Sequence, residues 1–453
     1  MKKSITTVSI LLLSIVSAIS FAKVSPEQAA QLGKTLTPMG AEQAANASGS
    51  IPAWTGGLNN KNTKASPDSG RPVNPFADEK PLFEITNTNV AQYADNLSAG
   101  QLAMFKKYAD YTMSVYKTHR TAAYPESIYS VVKRNATTAE LIQEGNGVVN
   151  FDTSVPFPIA QNGSEVIWNH ITRYRGGSAK RFLTTIAAQA DGSFVPSNSN
   201  DRLVWPEFLI GGKDAKKDDN ILFYYLQQIT SPARLTGTVL LAHETMDQVK
   251  EARKAWIYNS GQRRVRRAPN VAYDGPGVGT DGQRTTDNYD MYNGAPDRYN
   301  WKLIGKKELY IPYNSYNLLD TTAKYKDLIQ PGHLNAKYTR YELHRVWHVE
   351  ATLKEGARHL YAKRTMYIDE DTWGASVIDH YDSRGELWKL AEAHNIQFYD
   401  VNTSWIVAET LHDLNSGRYL VTGLSNEEPV FMQWDFKAKR RDFSTSALRR
   451  LGR

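Results

Sequence analysis

The sequence contains no cysteine, so the chain forms no disulfide and carries no lipid on a cysteine. It also lacks a long apolar run after its first two dozen residues, and the run at residues 8–19 is shorter than the ~20 residues that cross a bilayer. Basic charge is in only modest excess, with 54 Lys and Arg against 47 Asp and Glu. A nucleic-acid binder concentrates basic residues on one face, and we therefore expect no nucleic acid among the partners.

The N-terminus predicts export. Lys2 and Lys3 precede the apolar run, and Ser20-Phe21-Ala22 places small residues at positions −3 and −1 of a cleavage site. A charged start, a short apolar stretch and small residues at the end are typical of a secretory signal peptide. We predict a signal peptide over residues 1–22, cleavage before Lys23, and a periplasmic location for the mature protein.

Motifs of nucleotide binding and catalysis are weak. Residues 277–282 match the pattern G-x-G-x-x-G, but the sequence after them has no apolar period for the helix that a dinucleotide site requires. We interpret this stretch as a flexible loop. No other motif assembles a set of convergent titratable groups, so the sequence predicts no catalytic residue, no cofactor and no enzyme.

One segment carries residues that bind metals in other proteins. Read as a strand, it places four polar side chains on one face, namely Glu342, His344, His348 and Glu350. Two histidines separated by four residues of strand lie about 13 Å apart, which is too far to share one zinc ion. We interpret the segment as a polar sheet face and predict no metal site.

Tyrosine and tryptophan are abundant, with 25 and 10 residues respectively. Both favour strands and combine an apolar body with a polar end. Capping boxes and a 3.6-residue period predict helices over residues 98–116, 125–142 and 164–174, and a period of two predicts successive strands between residues 204 and 393. This order indicates an α+β fold with one continuous antiparallel sheet over about residues 180–393.

We divide the chain into a signal peptide (1–22), an extended segment that wraps the body (23–97), a single sheet domain with N-terminal helices (98–436) and a basic C-terminal tail (437–453). The tail is interpreted as solvated, with attraction to an anionic membrane surface as the alternative. The Gly/Asp/Asn/Pro-rich segment 270–300 is longer than ordinary connections, which suggests a functional loop.

Several motifs resemble those of a known family of proteobacterial periplasmic proteins, the domain of unknown function DUF1329. They include Ile51-Pro52-Ala53-Trp54, Pro156-Phe157-Pro158-Ile159, Trp168-Asn169-His170, Gln262-Arg263-Arg264-Val265-Arg266-Arg267 and Tyr292-Asn293-Gly294-Ala295-Pro296-Asp297. The C-terminal half also resembles outer-membrane lipoprotein-sorting proteins of the LolA/LolB type. The resemblance implies a strongly curved, unclosed sheet of about eleven strands, a half-barrel whose concave face is covered by helices. It further implies an apolar cavity and a partnership with an inner-membrane exporter of the resistance-nodulation-division (RND) type and an outer-membrane protein.

Three hypotheses follow for function. The first is a non-enzymatic periplasmic carrier or chaperone for a lipid or another hydrophobic ligand. The second is an accessory subunit of an envelope transporter with no ligand of its own, and the third is a hydrolase of an envelope lipid. For the carrier we expect Trp256, Tyr258 and Arg264 to share one strand face and bind the ligand, with Arg264 anchoring an anionic head group. The alternative is that the two aromatic residues belong to an ordinary core.

Overall fold

The computed structural model describes residues 24–63, 69–268, 271 and 273–452. The predicted signal peptide therefore lies outside the described residues. Within these ranges, no helix combines the length and the apolar character needed to cross a membrane.

The described chain contains six α-helices and eighteen strands. The helices are α1 Pro26–Ala29, α2 Ala99–Lys107, α3 Glu126–Thr138, α4 Gly163–Thr172, α5 Tyr325–Leu328 and α6 Thr445–Leu451. The first ten strands are β1 Phe83–Ile85, β2 Met113–Val115, β3 Glu140–Ile142, β4 Gly147–Val149, β5 Ser178–Ala188, β6 Pro196–Val204, β7 Ile221–Ile229, β8 Val239–Thr245, β9 Lys254–Asn259 and β10 Arg264–Arg267. The remaining strands are β11 Tyr299–Pro312, β12 Tyr341–Leu353, β13 Lys363–Asp369, β14 Ala375–Tyr381, β15 Leu387–Phe398, β16 Thr403–Asp413, β17 Tyr419–Leu424 and β18 Met432–Trp434.

Sixteen of these strands form one strongly curved, unclosed sheet. Strands β5 to β10 make one antiparallel run of neighbours and β11 to β17 make another. The two runs join where β17 pairs with β5, with Tyr419 opposite Ala188. Strand β10 ends the path on one side and β1 ends it on the other. The predicted α+β class and the single continuous sheet are confirmed, with sixteen strands in place of about eleven.

The two faces of the sheet carry different helices. Helices α3 and α4 share a core with the face of β5–β9 and β12–β16 that includes Ala242, Ile378 and Ala391, and we call this the α4 face. Helix α2 packs on the opposite face, where its Gly100 N–H donates to Asp379 Oδ1 (3.0 Å). We call that side the α2 face. The expectation that the N-terminal helices together cover one face is therefore wrong, because α2 bonds to polar side chains that alternate onto the other side.

Helix α2 is also shorter than predicted. Its capping box at Ser98 and Gln101 is present, but the helix ends at Lys107 and residues 113–115 form β2. The predicted single strand over residues 255–267 is the hairpin of β9 and β10, because Asn259 Oδ1 accepts from the Gln262 N–H (2.9 Å) and closes a turn. Strands β16 to β18, beyond the predicted limit of the sheet, complete it.

The C-terminal segment is folded onto the sheet. Its Phe443 and Leu448 are buried and pack with Tyr224, Leu241 and Tyr258 on the α2 face of β7–β9. The interpretation of residues 437–453 as a solvated tail is wrong for the described part of that segment. The apolar residues between its arginines form a helical face, and the charge pattern alone concealed it.

Candidate functional site

A cavity of about 570 Å³ lies on the α4 face at the β10 end of the sheet. Its sheet wall is apolar and comes from three adjacent strands. Tyr225 stands opposite Ala242, and Ala242 stands opposite Ala255, so the three side chains share one face. By the same alternation Leu240 and Ile257 complete the wall.

The segment that follows β10 forms the other wall. Val271, Pro276 and Val278 line the cavity. The segment folds back on itself through the Gly277 N–H, which donates to the Arg284 carbonyl (2.8 Å), and the Thr286 N–H, which donates to the Gly275 carbonyl (2.8 Å). The G-x-G-x-x-G match lies in this turn, and only a short 3-10 helix at Thr286–Asn288 follows it. The interpretation of this stretch as a loop is confirmed.

Arg253 ties the loop wall to the sheet wall. Its Nε donates to Glu244 Oε2 (2.6 Å), its Nη1 donates to the Val271 carbonyl (2.6 Å) and its Nη2 donates to the Asn293 carbonyl. Burial raises the pKa of Glu244, and the Arg253 charge acts in the opposite direction. Since the Arg253–Glu244 pair is buried and bonded to the loop backbone, it fixes the separation of the two walls.

The inner end of the cavity is polar and internally bonded. The Tyr225 hydroxyl donates to Asp201 Oδ2 (2.8 Å), and Arg181 Nη2 donates to the Tyr289 hydroxyl (3.0 Å). Arg181 and Asp201 also form an ion pair at 3.3 Å. Burial raises the pKa of Tyr225 and of Tyr289 well above the ordinary range, so both phenols stay neutral. These groups satisfy one another and shape the cavity.

The cavity has an excess of positive charge. Its charged lining residues are four arginines and one glutamate, giving 4 − 1 = +3, namely Arg253, Arg266, Arg267, Arg284 and Glu244. Arg266 stands opposite Ile257 and is exposed at the rim, and within the described residues it forms no ion pair, whereas Arg267 stands opposite Trp256 and belongs to the other face. Arg284 lies deeper, with its guanidinium 5.3 Å from the Tyr289 ring centre and its Nη1 without a hydrogen-bond partner among the described residues. Arg266 and Arg284 are thus open to an anionic group.

The structure separates the three residues predicted to bind ligand. Trp256 and Tyr258 share a face, as their spacing predicts, but it is the α2 face, opposite the cavity. Tyr258 is buried beneath Gly452 at the end of α6. Trp256 borders a second groove of about 770 Å³ that is lined by charged residues, including Lys254 and Arg441. For Tyr258 the structure agrees with the alternative interpretation, in which the residue belongs to an ordinary core.

The Arg264 side chain lies on the other face of the sheet from Trp256 and Tyr258. It stands opposite Asn259, whose side chain lines the cavity, whereas Val265 stands opposite Tyr258. The predicted side of Arg264 is therefore wrong, because the four residues of the turn interrupt the alternation that was counted straight through it. Arg264 therefore shares the cavity face with Arg266, and Arg266 lines the cavity. The length of segment 270–300 was the signal that marked this region.

Comparison with known proteins identifies the family of this chain. The sequence profile of a family described as "Protein of unknown function (DUF1329)" matches residues 84–449. An uncharacterized protein of Pseudomonas aeruginosa is 57% identical over 447 residues, which cover 98% of this chain and 97% of that protein.

Two solved structures are similar at low sequence identity. A putative outer membrane lipoprotein-sorting protein domain from Vibrio parahaemolyticus is 15% identical, with a TM-score of 0.44, and covers 63% of this chain and 97% of its own. A DUF1329 family protein from Desulfovibrio piger is also 15% identical, with a TM-score of 0.42, and covers 60% of this chain and 92% of its own. On the extent of the profile match and the identity to the Pseudomonas protein, the chain belongs to the DUF1329 family.

Proposed function

We propose that this protein is a carrier that binds a hydrophobic ligand with an anionic head group in the cavity between β7–β10 and the segment 271–293. The observation that carries the proposal is the combination of an apolar wall with two arginines, Arg266 and Arg284, that have free donors. Leu240, Ala242 and Ile257 offer contact to a hydrocarbon chain, and Arg266 stands at the opening. A fatty acid or an acidic lipid has this distribution of apolar and charged groups.

The dimensions fit such a ligand. A volume of about 570 Å³ lies within the roughly 300–1,000 Å³ typical of small-molecule sites. Each methylene removed from water contributes about 0.8 kcal/mol, so ten buried methylenes stabilise the complex by on the order of 8 kcal/mol before the costs of association. Arginine adds orientation because its planar guanidinium bonds a carboxylate or phosphate through two parallel hydrogen bonds.

The remaining polar groups of the cavity define its selectivity. Asp201 and Glu244 are already bonded to Arg181 and Arg253, so the acidic groups present no free charge to the ligand. A cationic head group would meet the excess of arginines and be repelled. The free donors are on Arg266 and Arg284, and they select an anion.

The cellular setting belongs to the same proposal. A carrier of this kind works in the periplasm, where a long acyl chain needs protection from water. The expected partners, an RND-type exporter in the inner membrane and an outer-membrane protein, rest on the family resemblance and stay predictions. A binding protein needs no catalytic group, and we propose that the ligand leaves chemically unchanged.

The test combines native purification with a cavity-filling variant. We expect lipid mass spectrometry of protein purified without detergent to find an intact acidic lipid, and a fluorescent sixteen-carbon fatty acid to bind at least tenfold more tightly than the matching alcohol. Ile257→Trp fills the cavity and should abolish binding. The matched control is Trp256→Ala on the same strand but the opposite face, which should bind the fatty acid normally.

Other outcomes are equally decisive. A protein that neither carries lipid nor takes up the fatty acid would overturn the proposal and leave the accessory-subunit hypothesis. Recovery of cleaved lipid in place of intact lipid would favour the hydrolase. If Ile257→Trp binds the fatty acid as the unaltered protein does, the ligand occupies a different site.

A further inference from the structure

A second group of polar side chains is buried where β12 meets the turn after β13. His344 lies on β12, Asp369 ends β13 and Asp371 lies in the turn. All three are buried, and one potential ligand atom from each lies within 4.8 Å of the others. The sequence singled out His344 together with His348, but the structure instead joins His344 to carboxylates 25 or more residues away. His348 stacks on Tyr367, with ring centres 5.0 Å apart.

The imidazole of His344 is oriented by a carboxylate. Its Nε2 lies 3.2 Å from Glu342 Oε2. The Glu342 carboxylate also accepts from Arg340 Nε (2.7 Å) and from Asn314 Nδ2 (3.0 Å). Since an ionised carboxylate only accepts, Nε2 carries the proton. The unprotonated Nδ1 then lies 4.0 Å from Asp369 Oδ1. Histidines that bind metals are commonly held by a carboxylate in this way.

Two buried oxygens beside this imidazole lack partners among the described residues. Asp369 Oδ2 accepts from the Thr372 N–H (3.0 Å) and hydroxyl (2.6 Å), whereas Asp369 Oδ1 has no hydrogen-bond partner in the described part of the chain. The same holds for the Tyr313 hydroxyl, and the Tyr313 ring lies 4.0 Å from the His344 ring, centre to centre. Buried polar atoms are nearly always satisfied, so this pair points to a missing ligand.

The charges around the group do not balance. Of the four buried carboxylates around the group, Glu342, Asp371 and Glu370 form ion pairs with Arg340, Arg120 and Arg345. Among the described residues, Asp369 pairs with no lysine or arginine, and the one basic side chain within 4.0 Å of it is His344. A buried carboxylate without a cationic partner is destabilising, and a cation bound at Asp369 would compensate its charge.

We propose that His344 Nδ1, Asp369 Oδ1 and an Asp371 oxygen bind one divalent transition-metal ion of the zinc type. Tetrahedral zinc with bonds of about 2.0–2.2 Å separates its ligand atoms by roughly 3.4 Å. The 4.0 Å between His344 Nδ1 and Asp369 Oδ1 and the separations of up to 4.8 Å within the group must therefore contract when the ion binds. Arg120 already bonds both oxygens of Asp371, but a carboxylate has about four lone-pair positions. Calcium fits poorly because it takes about 6–8 oxygen ligands.

The ion would stabilise the packing of the N-terminal segment on the sheet. Arg120, which bonds Asp371, also donates to the Glu42 carbonyl (2.7 Å). Arg345 donates to the carbonyls of Glu42 and Ala44 (both 2.9 Å) and pairs with Glu370 in the same turn. A cation on Asp369 and Asp371 fixes the turn to which these arginines attach. The site is buried on all sides, which is typical of a structural metal site.

The test measures metal content and thermal stability on the full mature protein. Protein purified without a metal-affinity column, stripped with chelator and reloaded with Zn²⁺, Mn²⁺ or Ca²⁺ should retain about one equivalent of Zn²⁺ after desalting and show a higher Tm. Asp369→Asn and His344→Gln should each reduce bound Zn²⁺ at least tenfold. His348→Gln is the matched control, because it removes an imidazole from the same strand outside the group, and it should retain one equivalent.

Asp369→Asn also separates a loss of metal from a loss of folding. It removes one of the clustered negative charges, so in chelator its Tm should equal or exceed that of the unaltered protein, while added Zn²⁺ should no longer raise it. Retention of one equivalent by Asp369→Asn would overturn the site. An unaltered protein that binds none of the three ions would show that the orphaned oxygens hold an ordered water only, and would overturn the proposal.

Discussion

At the scale of single residues, burial sets the protonation of the polar core on the α2 face. Glu392 accepts from Gln101 Nε2 (2.9 Å) and from the Tyr341 hydroxyl (3.0 Å), and within the described ranges it forms no ion pair. Burial raises the pKa of Glu392 to about 7 and that of nearby Asp379 to about 6. The other titratable groups around these carboxyls are Tyr111, Lys363, His333, His394 and His412.

The raised pKa of Glu392 predicts that stability falls as pH rises. In the unfolded chain a glutamate loses its proton near pH 4.3, whereas folded Glu392 keeps it to about pH 7. Between these values the unfolded chain binds fewer protons, so the free energy of unfolding decreases with rising pH. Glu392→Gln should remove this contribution to the pH dependence. Between pH 4 and pH 8, the free energy of unfolding of the variant should therefore rise by on the order of 1–3 kcal/mol relative to that of the unaltered protein.

Urea unfolding at pH 4, 6 and 8 measures this difference. The control is Glu355→Gln, which replaces a glutamate at an exposed position. It should change the free energy of unfolding by the same amount at all three pH values. A Glu392→Gln variant with the same pH dependence as the unaltered protein would show that the carboxyl is ionised in the folded state.

At the scale of elements, helix α6 covers the α2 face of the strands whose other face forms the cavity. Phe443 and Leu448 pack against Tyr224 and Tyr258, and each buried apolar side chain contributes about 1.5–3 kcal/mol. A chain that ends at residue 436 should therefore lose at least about 3 kcal/mol of unfolding free energy and expose apolar sheet surface. Urea unfolding and light scattering measure the two effects.

The basic residues of this element provide the control. Arg449 and Arg450 are exposed, so replacing both with alanine should change stability by less than about 0.5 kcal/mol. If the truncated chain is as stable as the double variant, the segment contributes only surface charge, as the sequence had suggested.

At the scale of the whole molecule, one sheet connects the cavity, the polar core and the proposed cation group. The predicted signal peptide implies that the chain is cleaved during export. We expect protein recovered from the periplasm to begin at Lys23 and to remain in solution without detergent, because the apolar run at residues 8–19 is too short to serve as a spanning anchor. N-terminal sequencing measures this, and retention of Met1 on the recovered protein would contradict it.

The sequence predicted local features well where a short-range rule decides them. The capping box of Ser98 and Gln101 marked the start of α2, and the alternation of residues 375–381 matched β14. It failed where a decision depends on distant residues. The end of α2 at Lys107 depends on pairing of the following strand with β1 and β12, and no local pattern reports such pairing.

The sequence by itself determined the fold class, the long run of antiparallel strands and the unusual length of the connection after β10, because period, turn residues and loop length are local properties. Only the tertiary structure decided which face of the sheet is enclosed. A turn of four residues between Asn259 and Arg264 was enough to place the Arg264 side chain on the other face of the sheet from Trp256 and Tyr258. The group of His344, Asp369 and Asp371 likewise exists only in three dimensions, because strand pairing brings together residues that no spacing rule connects.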